Sequence, residues 1–196
     1  MFRQGGVRAF VLVREFKGER GQPSSPFKTF YVCRPGWRAP RTIIEGDPFT
    51  RETAYQFKLF GHYLGWLDYS EGVQSGYQTE VGWIDLRIGR VRAGVINASA
   101  GLSNEAEEEP GLPRVPSDIV RYAIASDGTV ALAGEIEEPA EWEVCVLPVK
   151  PHALGKPQAL YVAKDGQEGV DVDSIAITET SVTWTTKNGQ LESVPR

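Results

Sequence analysis

The chain has little of what most often carries chemistry or staples a small fold: two cysteines, two histidines and one methionine among 196 residues. Cys33 and Cys145 lie far apart, which excludes a disulfide framework and a four-ligand zinc site and leaves two buried free thiols as the expectation. No Gly-x-Ser-x-Gly elbow, no Gly-x-x-x-x-Gly-Lys phosphate loop, no Cys-x-x-Cys and no His-Glu-x-x-His is found in it. No apolar run approaches the ~20 residues of a spanning helix. The opening stretch Met1 to Gly6 passes directly into an alternating pattern and lacks the basic, apolar and small-residue parts of a secretion signal. The expected location is therefore cytoplasmic, or secreted if a leader was removed. Helix signals are nearly absent.

What is present describes a globular β chain. Hydrophobic residues make up 41%, aromatics 10%, and there are five tryptophans, a composition able to build a core rather than a disordered one. Period-2 alternation with β-branched and aromatic residues, bounded by Gly, Pro, Asn and Asp, dominates the chain. It predicts strands at about 7–16, 29–34, 55–60, 63–69, 80–88 and 92–96, and again near 119–125, 129–136, 142–149, 159–163, 174–178, 181–186 and 190–194. Ser126-Asp127-Gly128 and Lys187-Asn188-Gly189 are the clearest hairpin turns, because Asp-Gly and Asn-Gly tolerate the positive φ that such reversals need. The segment 98–116, with Glu107, Glu108 and Glu109 in a row and three prolines, breaks the pattern and reads as an exposed acidic loop or linker. It separates 1–97, two repeat units, from 117–196, two more, within a single compact domain.

The formal net charge of −5 hides an imbalance. Residues 1–100 hold 14 Lys+Arg against 9 Asp+Glu, giving +5, whereas residues 101–196 hold 7 against 17, giving −10. No Lys/Arg stripe with interleaved aromatics occurs, and an acidic half repels phosphate, so neither nucleic acid nor a membrane is expected as partner. Opposite ends would help copies of the chain find one another; the plainer reading is two ordinary solvated surfaces.

Self-similarity is the most informative feature. Gly5-Gly6-Val7-Arg8-Ala9, His62-Tyr63-Leu64-Gly65-Trp66, Gly128-Thr129-Val130-Ala131-Leu132 and Thr180-Ser181-Val182-Thr183-Trp184 each end a turn and begin an alternating apolar strand. A second strand follows in Phe30 to Arg34, Gly82 to Leu86 and Trp142 to Val146, which aligns Cys33, Asp85 and Cys145. Each unit reads as one antiparallel four-stranded blade. The first shows no obvious innermost strand and the last no outermost one. The stretch Phe57 to Trp66, continuing to Trp83-Ile84-Asp85-Leu86-Arg87-Ile88-Gly89-Arg90-Val91, resembles a repeat of the TolB-like (WD40-like) β-propellers, in which a second strand reads roughly apolar-apolar-Asp-Leu-x-x-Gly. Ala125 to Ala131 looks like that family's Asp-Gly turn, and Ser174 to Thr178 with Ser181 to Trp184 looks like a closing repeat. The resemblance implies an all-β propeller or partial propeller, the alternative being a β-sandwich. An incomplete propeller must cap its terminal strands or pair them with another chain, so a homo-oligomer is expected.

Candidate site residues are few. Trp37, in Arg34-Pro35-Gly36-Trp37-Arg38-Ala39-Pro40-Arg41, stands in a turn among Arg34, Arg38 and Arg41, a pattern that suits recognition of an acidic or aromatic partner; a solitary surface aromatic is the plainer reading. His62, beside a turn, has no spaced partners and reads equally as a hydrogen-bonding edge residue; His152 reads as loop. The run Asp165 to Asp173 offers oxygens for calcium but departs from EF-hand spacing, and a solvated loop explains it as well. Glu135, Glu137, Glu138, Glu141 and Glu143 could supply the paired carboxylates of glycoside hydrolysis, or form simply a charged rim in which Trp142 packs. Trp66 and Trp184, at equivalent repeat positions, are expected in the core. Asn97-Ala98-Ser99 is a glycosylation sequon only in a secreted protein. The expectation is a non-enzymatic binding or assembly module, with no catalytic residue, metal or cofactor, acting on a protein partner or on itself. The alternatives are a carboxylate-dependent hydrolase and a structural subunit of a larger particle such as a viral or phage shell.

Overall fold

A computed structural model describes residues 1–16, 25–46, 50–72, 76–96, 118–136, 141–147, 158–163 and 169–196. Every regular element among them is a strand. Sheet 1 contains β1 (Phe2–Gln4), β2 (Val7–Phe16), β3 (Ser25–Cys33) and β4 (Arg41–Ile44). Sheet 2 contains β5 (Thr50–Phe60), β6 (Tyr63–Gly72), β7 (Gly76–Asp85) and β8 (Arg90–Ile96). Sheet 3 contains β9 (Asp118–Ile124), β10 (Val130–Ile136), β11 (Glu141–Leu147) and β12 (Gln158–Ala163); sheet 4 contains β13 (Val170–Ile177), β14 (Ser181–Thr186) and β15 (Leu191–Pro195). In each sheet the strands lie in chain order and pair antiparallel. The fold is thus all-β, made of successive meanders, as the alternating sequence leads one to expect.

The differences have local causes. β1 is only three residues long, too short for alternation to register, and it supplies the first strand that the sequence does not show in the opening unit. β4 begins with two exposed polar residues in the segment read as a turn. β7 ends at Asp85, not at Ile88, because the Asp85 carboxylate accepts the Arg87 backbone N–H at 2.9 Å and the Gly89 N–H bonds back to the Asp85 carbonyl at 2.7 Å. Both expected hairpin turns form: Gly128 and Gly189 each have φ +88°, the left-handed region where a Cβ is costly.

The four sheets stack face to face in chain order. Val7, Ala9 and Val32 of sheet 1 share a core with Leu64, Trp66 and Ile84 of sheet 2. On the other side of sheet 2, Tyr63, Leu67 and Trp83 share a second core with Ile119, Tyr122, Val130 and Leu132 of sheet 3. Ala131, Ala133 and Val144 of sheet 3 join Val182 and Trp184 of sheet 4 in a third. Successive residues of a strand point to opposite faces, so β6 and β10 each serve two cores, which is why Tyr63 to Leu67 and Val130 to Gly134 read as unbroken apolar runs. The halves on either side of the 98–116 segment share the second core; the segment itself lies outside the described residues.

The first repeat alignment holds in space for three of its four anchors. Leu64, Val130 and Val182 are each fully buried on the second strand of their meander and face the preceding sheet, whereas Val7, also on a second strand, faces the following one because no sheet of the described chain precedes it. The second alignment does not. Cys33 pairs with Arg8, one residue beyond its anchor Val7; Asp85 pairs with Tyr63, one before Leu64; Cys145 pairs with Leu132, two beyond Val130. Matching apolar patterns across differing turn lengths aligned residues that the register separates.

Candidate binding surface

The arginine-tryptophan loop connects β3 to β4 within sheet 1 and lies against the β7–β8 turn of sheet 2, at the end of the sheets where the tight turns gather. Arg34 is half-buried and its Nη1 donates to the Leu86 carbonyl at 2.7 Å. Trp37 is half-buried against the first core. It and Arg41 flank the β7–β8 turn, where a side chain on Gly89 would meet Arg41 Nε at 3.1 Å and Trp37 Cζ2 at 3.5 Å. Arg38 and Arg41 are exposed. The four residues therefore do come together. Arg34 and Trp37 are held as an inter-sheet clamp, while Arg38 and Arg41 present charge to solvent beside it.

The same end carries a polar seam across sheets 2, 3 and 4. Arg87 grips Asp85 with Nη2 at 2.7 Å and Nε at 3.1 Å. Burial alone would raise the Asp85 carboxyl, but these bonds and the Arg87 backbone N–H outweigh it and hold the group below its ordinary value. Asp127 is governed in the same way: burial raises it, and the bonds from Arg196 at 2.9 and 3.1 Å and from the Thr129 backbone at 2.9 Å lower it further. Ser126 reaches Glu179 at 3.1 Å, so two contacts tie sheet 3 to sheet 4. Between these turns lies a cavity of about 50 Å³ lined by Tyr63, Trp83, Asp85, Arg90, Arg92 and Asp127, among others, large enough for water alone.

Sheets 2 and 3 are fastened on their first strands as well. Gln56 has φ +50° at a bulge in β5, its carbonyl accepts the Tyr122 hydroxyl at 2.6 Å, and its Nε2 donates to the Val120 carbonyl at 3.2 Å. Burial pushes the Tyr122 hydroxyl pKa well up, so it stays a donor.

The outer face of sheet 1 was not singled out in the sequence. Val7 and Ala9 point into the first core, so Arg8, Phe10, Leu12 and Arg14 point away from it. Phe10 stacks on its cross-strand partner Tyr31 with ring centroids 5.6 Å apart. Of the six large hydrophobics exposed among the described residues, Leu12, at 45%, lies on this outer face, whereas Val11 and Val13, at 43% and 60%, fall on the Val7 and Ala9 side of β2 beyond the core. The signal was available: Val7 to Val13, broken only by Arg8, is almost as apolar as Tyr63 to Leu67, yet β2 belongs to the end of the stack, with nothing from the described chain on its far side. At the opposite end β14 alternates cleanly, burying Val182, Trp184 and Thr186 and turning Ser181, Thr183 and Thr185 outward.

The other candidates are placed as follows. His62 is half-buried with its ring 4.2 Å from that of Tyr63, its Nε2 enclosed with no hydrogen-bond partner, and its carbonyl accepts the Leu86 N–H. His152, Glu137, Glu138, Asp165 to Glu168 and the sequon lie outside the described residues, as do the side chains of Glu135, Glu141, Trp142, Glu143 and Cys145. Asp171 and Asp173 are exposed, Asp173 pairing with Arg121, and among the described residues no group of three His, Cys, Asp or Glu converges for a metal. Cys33 is free but half-buried, not buried as expected, because it ends β3 on the outer face. Trp66 and Trp184 are in the core, each 1% exposed.

No family model, curated protein or solved structure matches the chain. No helix among the described residues is long and apolar enough to cross a membrane. The class the fold defines is that of stacked antiparallel meanders, with both end faces open among the described residues.

Proposed function

We propose that this chain is a non-enzymatic binding or assembly module, built as a partial propeller in the TolB-like manner and probed by its partners through the open end of the stack. One observation carries the reading: Phe10, Leu12 and Tyr31 lie together on the outer face of sheet 1 with nothing from the described chain over them. Contiguous exposed apolar residues rimmed by charge mark protein-protein contacts. The rim here is Arg3, Arg8 and Arg14 on the same sheet, with Arg38 and Arg41 at its turn end. Arginine beside aromatic rings is the composition of interface hot spots. The scaffold beneath is rigid, since three cores and the turn-end bonds hold it, so binding requires no folding of the surface.

The test has two arms. Phe10→Lys and Leu12→Lys, with an unchanged circular dichroism spectrum, are expected to abolish the concentration-dependent rise in light scattering that this reading predicts for the native chain. In parallel, chromogenic glycosides and esters should not be turned over. Turnover that disappears in Glu141→Gln or Glu143→Gln would overturn the reading in favour of a hydrolase.

A further inference from the structure

We propose that the open faces of sheets 1 and 4 are the two halves of one interface, so that two copies of this chain close head to tail into a ring of eight sheets. The proposal rests on the binding reading above and names its partner.

Each of the three interfaces inside the chain includes a bulky strand residue of the later sheet set against a small strand residue of the sheet before it. Trp66 shares a core with Ala9. Tyr122 lies 2.5 Å from where a Gly65 Cβ would be. Trp184 shares a core with Ala131 and Ala133. The open faces continue the series. Sheet 1 turns the stacked pair Phe10 and Tyr31 toward the place of a preceding sheet. Sheet 4 turns Ser181, Thr183 and Thr185 toward the place of a following one, with γ-methyls to meet rings and hydroxyls to accept from arginine.

Charge runs the same way. Arg3, Arg8 and Arg14 are exposed at one end and Asp171 at the other, and the halves of the chain carry +5 and −10. A two-fold contact between two sheet 1 faces would instead set three arginines against their own copies, which opposes association. A head-to-tail contact either closes into a ring or continues as a filament. Radial sheets close at about four to eight, so two copies complete a ring and a third has no place.

The experiment measures mass by light scattering behind size exclusion. The native chain should give twice 21.6 kDa. Arg8→Glu with Arg14→Glu, and separately Thr183→Lys with Thr185→Lys, should each give the single-chain mass with unchanged circular dichroism. An equimolar mixture of the two variants should regain the doubled mass, because one contact is then native and the other sets Glu against Lys. A native chain that stays at the single-chain mass at all concentrations overturns the proposal. So does a threonine variant that doubles as the native chain does, which assigns the dimer to the sheet 1 faces, or a mixture that does not reassociate. If a double variant fails to fold, Arg8→Glu and Thr183→Lys alone repeat the comparison. Glycoside or ester turnover sinks the binding reading without changing these masses; a single-chain mass without turnover sinks this inference alone.

Discussion

Tyr122 occupies the space that a side chain at Gly65 would need: a Cβ there would lie 2.5 Å from its Cε2 and 2.8 Å from Ile124 Cδ1. The two residues belong to adjacent sheets, so the separation of sheets 2 and 3 is set by a glycine meeting an aromatic ring. Gly65→Ala should therefore force the sheets apart rather than fill a void. A loss of about 1–3 kcal/mol is expected, as for overpacking of a tight core. Denaturant unfolding would measure it, and an unchanged midpoint would contradict the packing.

The clamp between Tyr122 and Gln56 should make a smaller contribution. Tyr122→Phe removes the 2.6 Å donor to the Gln56 carbonyl and keeps the ring in place. The expected loss is about 1 kcal/mol, with more if the carbonyl is left without water. Gln56→Gly relaxes the φ of +50° but deletes the bond to Val120, so the two effects oppose each other and its net change should be smaller than that of Tyr122→Phe.

Stability should pass through a maximum in mild acid. Asp85 and Asp127 have folded pKa values below the ordinary 3.8, so their contribution is present above that value and lost as pH falls through the lower folded values. Glu80 is the reverse case: burial raises its carboxyl above the ordinary 4.5, so stability declines as pH rises from there through its folded pKa. Glu80→Gln should remove the decline on the alkaline side, and Asp127→Asn should flatten part of the acid side. Thermal melts across pH 2 to 8, roughly the span of carboxyl titration, would show whether each limb moves with its residue.

Arg196→Ala should have a modest effect despite its two bonds to Asp127. The Asp127 side chain is 54% exposed, where water and salt screen the attraction, so about 1 kcal/mol or less is expected. The residue also donates to the Glu179 carbonyl at 2.7 Å, and the loss should appear as faster amide exchange in β15 before any change in the melting temperature.

Much of this architecture was legible because alternation and turn chemistry are local. Gly128 and Gly189 close the two hairpins their Asp-Gly and Asn-Gly pairs announce, and Leu64, Val130 and Val182 share one environment because each begins the second strand of a meander. What could not be read is set by neighbours. β1 is too short to alternate, and Cys33, Asp85 and Cys145 align in sequence yet differ in register because each strand pair meets at its own offset. The site divides in the same way. Trp37 and its arginines were visible as a motif, but that Arg34 spends its guanidinium on Leu86 depends on a turn 52 residues away. The face of Phe10, Leu12 and Tyr31 needed the knowledge that sheet 1 stands at the end of the stack.

The face-to-face order of the sheets underlies both the open ends and the partner proposed for them, and nuclear Overhauser contacts at the sheet 2 to sheet 3 boundary test it most directly. Cross-peaks should link the Tyr122 ring protons to the Gly65 α-protons, with the latter displaced by the ring current. A Gly65 signal at an ordinary shift and without those cross-peaks, in a protein whose β6–β7 ladder contacts are intact, would show that the sheets do not stack in this way.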